Sequence, residues 1–258
     1  MLEVDHISFS YGAHKALDGV TFNVTPGEIV AVTGSNGAGK TTLMKLLACR
    51  LMQDAGSVRL HKIDPQARPV KYRRAIGYLS EACPLYDEMT VEEYLTYRVR
   101  LKGERALRVR RRVSEAMATC GLTELSRMRI RFLSHGFRKR VGLADALIAR
   151  PKLLLLDDLL AGLDRSQRAK CAETLAAATS WAAVVVTGHE LAEMADWCTR
   201  FIVLHKGRVV ATLNTNDYDH KELLALLDSV AEYGAEALPP PPPSDEAASN
   251  AATGGSHA

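Results

Sequence analysis

The sequence holds no cysteine pair that could clip a metal. Cys49, Cys83, Cys120, Cys171 and Cys198 are odd in number, scattered, and include no C-x-x-C. That argues against a zinc site or a disulfide framework and fits a reducing compartment. Long apolar runs are also missing. The longest unbroken run of Leu, Ile and Val, Leu153 to Leu156, falls far short of the roughly 20 apolar residues a helix needs to span a bilayer. The opening MLEVDHISFS lacks the basic region and apolar core of a secretory leader. If the chain serves a membrane, another chain must cross it. An excess of charge is absent too: 33 Lys and Arg against 30 Asp and Glu leave +3, without the strong basic balance of nucleic-acid-binding domains.

What is present suits a packed globule. In 258 residues, a hydrophobic share of 47% is ample for one large domain or two small ones. No internal repeat stands out, so one domain over residues 1–232 is expected, followed by a disordered tail over 233–258. In that tail, Pro239 to Pro243 and SDEAASNAATGGSHA are too poor in large apolar residues to pack. The proline run fits an inert spacer, or a ligand for a partner that reads polyproline helix.

The pattern along the chain alternates. LEVDHISFS, a turn YGAHKAL, GVTFNV, a turn TPGE and EIVAVTG read as a β-rich opening leading into a buried strand. LMKLLACRLM has helical spacing, and GSVRL and AIGYLS read as strands. Thr90 followed by Glu93 has the capping-box form, and the helical sequence after it is expected in two pieces broken at Gly103. A helix from about His135 to Ala149, the strand KLLLLDD, the helix RSQRAKCAETLAAA, the strand AAVVVTG, the short helix ELAEMADW, a strand pair turning at Lys206 and Gly207, and the helix KELLALLDSVAEY complete it. Such β/α alternation predicts an α/β fold with a mostly parallel sheet, an N-terminal antiparallel β part and a helical insert over about 88–142.

GSNGAGKTT, between strand and helix, satisfies G-x-x-x-x-G-K-[ST] through Gly34, Gly39, Lys40 and Thr41. Backbone N–H groups of such a loop converge on phosphate oxygens, and the helix N-terminus adds a favourable dipole. The lysine reaches the β and γ phosphates, and the Thr41 hydroxyl can ligate Mg²⁺. Asp157, closing the buried LLLLD, supplies the acid that completes the Mg²⁺ shell from the sheet edge. The bland readings, a glycine turn with a chance Lys-Thr and an Asp capping the next turn, explain fewer of these features together.

With LSHGFRKRVGLADALIARPKLLLLDDLLAGLD, the order of motifs over residues 1 to about 213 resembles the nucleotide-binding subunit of ATP-binding cassette transporters, a P-loop NTPase fold with a RecA-like core. The resemblance implies ATP and Mg²⁺ as ligands. It makes Gly34, Ser35, Asn36, Gly37, Ala38, Gly39, Lys40, Thr41 and Thr42 the Walker A loop and Tyr11 the aromatic that stacks on adenine. LSHGF then stands in for the signature LSGGQ, with Ser134 and Gly136 as its phosphate contacts. Asp157 closes Walker B, Gly162, Leu163 and Asp164 match the D-loop, and His189 is similar to the switch histidine. Read singly, Tyr11 also fits simple packing in a turn, and His189 a capping surface histidine. The resemblance further implies a head-to-tail pair with a second cassette, alike or different, integral membrane permease subunits, and a place on the cytoplasmic face of the membrane. Nucleic acid is not expected as a partner.

Three departures bear on mechanism. His135 and Phe137 replace the signature's first glycine and its glutamine, leaving Ser134 and Gly136. Glu81 stands at the Q-loop position, an acceptor for Mg²⁺ or water with an added charge. Asp158 stands where a catalytic glutamate is usual, so its carboxylate sits one methylene back, and a misplacement of about 1 Å can cost on the order of 10²-fold in rate. The motifs look most like export cassettes. A regulatory cassette that binds ATP with little turnover, and a soluble cassette acting on ribosome or DNA, are the competing classes. The cargo is not legible, because membrane subunits select it in this family. Between Arg98 and Arg112 a basic run, opposed only by Glu104, fits a solvated helix face, a face for the membrane partner or lipid head groups, or, least well, a nucleic-acid contact.

Overall fold

The computed structural model describes residues 1–237; the remainder of the expected tail lies outside the described residues. Two sheets form the frame. The first is antiparallel, in the order β2-β1-β4, from β1 (Leu2–Tyr11), β2 (His14–Val24) and β4 (Ala55–Leu60). The second has six strands in the order β5-β6-β7-β3-β8-β9, from β3 (Ile29–Thr33), β5 (Ile76–Leu79), β6 (Leu153–Leu156), β7 (Ala183–Thr187), β8 (Arg200–His205) and β9 (Arg208–Asn214). All its neighbours run parallel except β8 and β9.

Strand residues alternate between two cores, as the pleat requires. Val30, Val32, Leu153, Leu155, Val185 and Ile202 point toward α1 (Lys40–Leu47) and the antiparallel sheet. Ile29, Ala31, Leu154, Leu156, Val184 and Val186 point to the other face. There they meet α3 (Val91–Leu101), α4 (Ala106–Thr119), α5 (His135–Leu147), α6 (Arg165–Ala178) and α8 (His220–Tyr233). Burial on both faces explains why these strands read as continuous aliphatic runs.

Local signals held where they were chemically specific. Thr90 Oγ1 accepts from Glu93 N–H at 3.2 Å and Glu93 Oε2 accepts from Thr90 N–H at 2.8 Å, closing the capping box. Lys206 and Gly207 both take positive φ, 47° and 79°, as a two-residue hairpin turn requires. Elsewhere the structure differs from expectation. The turn at YGAHKAL shrinks to Gly12 and Ala13, with β2 starting at His14. The helix expected through Met52 stops at Leu47, and Cys49 sits at φ 55°. A helix α2 (Pro69–Ala75), started by proline in its first turn, was not anticipated. Residues 233–237, assigned to the tail, end α8 and add a 3₁₀ turn. Among the described residues no helix is long and apolar enough to cross a membrane.

Candidate functional site

The site is built on the C-terminal edge of β3, β6 and β7, where an open α/β sheet presents its loops. The chain leaves β3 at Thr33 and re-enters helix at Lys40. Gly34, at φ 143°, presses so closely on β8 that a Cβ would lie 2.1 Å from the Leu204 carbonyl oxygen. Gly39, at φ 107°, leaves 2.7 Å between such a Cβ and the Ala16 carbonyl oxygen. Ala38 turns its methyl into the core, whereas Ser35, Asn36 and Gly37 are exposed. The loop is thus pinned at both ends and open along its crest. Lys40 Nζ donates to the Gly34 and Ser35 carbonyls at 2.7 and 3.1 Å, over the loop. Burial lowers its pKa, and the nearby Asp158 and Asp157 oppose that shift.

Beside the loop lies a cleft of about 350 Å³. Lys40, Thr41 and Thr42 form one wall, Tyr11 and His14 another, and Glu81, Asp157, Asp158 and His189 a third. Tyr11 is held edge-on by Phe9, with centroids 4.8 Å apart, and is 47% exposed, which leaves a ring face free for stacking.

Asp157 leaves β6 with its N–H on the Leu79 carbonyl at 2.8 Å. Its Oδ1 accepts from the Thr187 hydroxyl at 2.7 Å, and its Oδ2 is buried without a partner. Burial raises its pKa against the Thr187 bond, with Glu81 and Asp158 adding to the rise. Asp158 adopts φ 53°, a left-handed conformation that Asp and Asn tolerate better than most residues. Both its main-chain groups are fixed: N–H donates to Thr187 Oγ1 at 2.9 Å, and C=O accepts from Lys139 Nζ at 2.6 Å. Its Oδ1 is also buried without a partner.

Thr187 and Lys139 were missed in the sequence. Thr187 carried one faint signal, a polar residue ending an otherwise apolar buried strand. Lys139 carried none, since a lysine on a helix reads as solvated, yet it is 3% exposed.

Past β7, His189 is exposed in the cleft and its N–H meets Glu190 Oε2 at 3.3 Å. Arg168 of α6 ties this segment to the turn before α6, donating to the Leu163 carbonyl at 2.8 Å and pairing with Glu190 and Glu193 at 3.5 and 2.9 Å. Asp164 caps α6, accepting from Gln167 N–H at 2.8 Å.

Ser134 and Gly136 do not line the Lys40 cleft. Ser134 caps α5 with an exposed hydroxyl that makes no capping bond. Gly136 is buried, and a Cβ there would lie 2.3 Å from Gln167 Oε1. The His135 ring covers Gly162, so a Cβ on Gly162 would be 2.8 Å from it. The α5 N-terminus therefore stands apart from the Lys40 cleft.

The residues fit a triphosphate with Mg²⁺. Asp157 and Asp158, each with an orphaned carboxylate oxygen, the half-buried Lys40 ammonium and an open glycine crest border one cleft. Among the described residues no group of three or more His, Cys, Asp or Glu forms a metal cage.

Fold and site define a P-loop nucleotide-binding protein. Residues 17–161 match the ABC transporter family, and the chain belongs to it as an ATP-binding subunit. It is 33% identical over 212 residues to the uncharacterized ABC transporter ATP-binding protein YxlF of Bacillus subtilis, covering 81% of this chain and 69% of that one. The daunorubicin resistance ATP-binding protein DrrA3 of Streptomyces coeruleorubidus is 34% identical over 211 residues, covering 81% of this chain and 67% of its own. Relatives named for import, such as a sulfate/thiosulfate subunit, match as well. A solved ATP-binding subunit of an ABC transporter superposes with a TM-score of 0.78 at 30% identity, over 84% of this chain and 91% of that one.

Proposed function

We propose that the chain binds MgATP in the Lys40 cleft, closes head-to-tail on a second cassette, and hydrolyses ATP slowly to drive export by separate membrane subunits from the cytoplasmic face. The observation that carries the nucleotide reading is the pair of unpartnered buried oxygens on Asp157 and Asp158 beside the glycine loop. Loop N–H groups and Lys40 hold the phosphates. Thr41 and Asp157, with Glu81 within reach of water or metal, would hold Mg²⁺, which when bound neutralises phosphate charge. Asp158 orients the attacking water, and His189 contacts the γ-phosphate. Ser134 and the Gly136 N–H serve the nucleotide of the partner cassette, which accounts for their distance from this cleft. Export rests on motif likeness and on drug-resistance relatives such as DrrA3, against import relatives that match comparably.

One observation favours a second reading, a switch that binds ATP with little turnover. Asp158 is one methylene shorter than glutamate and its Oδ1 is enclosed. Steady-state ATPase of the wild type, Asp158→Glu and Asp158→Asn separates the two. Asp158→Glu should raise the rate about tenfold or more, and strain at φ 53° should cost about 1 kcal/mol of stability. Asp158→Asn should abolish turnover. An unchanged rate in Asp158→Glu would show that carboxylate reach does not limit the reaction. Tight binding with no turnover in either the wild type or Asp158→Glu would establish the switch.

A further inference from the structure

The basic run from Arg98 to Arg112 separates into two groups. Arg98 Nε bonds both oxygens of buried Asp145 at 3.0 Å, and Lys102 Nζ reaches the Ile76 carbonyl at 3.2 Å. Arg112 pairs with Glu104, and Arg111 with Glu115. These cations belong to the fold. Arg100, Arg105, Arg108 and Arg110 are exposed and pair with no acid among the described residues. The same holds for Lys71, Arg73 and Arg74 on α2, a helix with no acidic residue.

The two sets meet at the α3–α4 turn, where a Cβ on Gly103 would lie 3.1 Å from the Arg74 guanidinium. Elsewhere Arg131 pairs with Glu88, Arg138 with Asp87, Arg168 with Glu190 and Arg208 with Asp18, and the exposed arginines without an acidic partner among the described residues, such as Arg59, Arg127 and Arg165, are scattered along the chain. Near-balance in the chain as a whole therefore hides a local excess. Large apolar side chains stand among these free cations. Leu107 is 97% exposed, Val70 59% and Leu101 58%. Between α3 and α4 runs a groove of about 380 Å³, with Val109, Val113 and Met117 among its lining residues and Arg100 and Arg110 beside them. The surface adjoins the start of β5, at the sheet edge opposite the Lys40 cleft.

We propose that this surface docks on an anionic lipid bilayer, its arginines against phosphate head groups and Leu101 and Leu107 entering the interface. Free cations interleaved with exposed aliphatics match a charged, partly apolar boundary. Nucleic acid would use the charges and leave the leucines uncovered. Its other anchor, a stacking ring, is not among the residues lining the α3–α4 groove. The inference does not depend on the ATP chemistry.

The test is co-sedimentation of the full chain with phosphatidylcholine vesicles, with and without phosphatidylglycerol. Partition onto the anionic vesicles should be at least about tenfold stronger and should weaken with salt, each arginine being worth roughly fivefold. Arg105→Gln/Arg108→Gln/Arg110→Gln should lose about tenfold or more with MgATP binding intact. Leu107→Asn should lose several-fold at every salt concentration. Equal partition onto neutral vesicles, no partition, or an unaffected triple variant would overturn the proposal. So would binding to a DNA or RNA oligonucleotide in place of the vesicles.

Discussion

A single hydroxyl organises the acidic end of the cleft. Thr187 Oγ1 donates to Asp157 and accepts from the Asp158 N–H, so one side chain sets the spacing of both acids. Asp157 is held at a cost. With its folded pKa raised above the unfolded value, the folded state keeps a proton that the unfolded state has lost as pH rises from about 3.8 through the folded pKa. Stability from this group is greatest below that window and is lost across it, so the nucleotide-free protein carries the deficit at neutral pH. Asp157→Asn removes the charge and keeps an acceptor for Thr187. Its melting temperature without ligand should rise by roughly 2–4 °C, about 1 kcal/mol for a chain of this size, while Mg²⁺-dependent nucleotide binding falls away. Scanning calorimetry and a titration with a nucleotide analogue check both. At this scale the sequence was legible where chemistry needs fixed residue types at fixed spacing, as in Gly34 to Thr42 and Asp157. It was silent on Lys139, whose role comes from the packing of α5 against the end of β6.

Elements, in turn, are fixed by close approach. Helix α5 lies on β5 so tightly that a Cβ on Gly77 would sit 2.1 Å from the Ala146 carbonyl oxygen. Gly77→Ala must push α5 away from the sheet, at about 1–3 kcal/mol. Because α5 also carries Ser134 at its N-terminus and Lys139 against Asp158, the shift should reach the site. Chemical denaturation should show the lost stability, and ATPase should fall by more than the folded fraction explains. Gly77 within IGYL read only as a strand residue, since nothing local names the helix that crosses it. Strands such as β6 were legible because burial on both faces demands unbroken aliphatics. Helix α2 escaped because seven residues with one buried side chain, Tyr72, show no period.

On the proposed reading the whole molecule holds two half-sites, beside one surface where free cations cluster with exposed aliphatics. The Lys40 cleft is lined by the glycine loop, by Asp157, Asp158 and Glu81, and by the Tyr11 ring, and Ser134 at the start of α5 is not among its lining residues. The exposed start of α5 at Ser134 has free donors and no phosphate loop beside it. Rotating a second copy head-to-tail joins each to its complement, which is the account's central claim. Its most direct test is the molar mass of Asp158→Asn in solution, by light scattering, with and without MgATP. The account predicts a monomer that becomes a dimer on adding MgATP, and no such change when Lys40→Ala or Ser134→Arg is added to that background. A chain that stays monomeric while saturated with MgATP, or that dimerises equally well with Lys40 or Ser134 replaced, would contradict it.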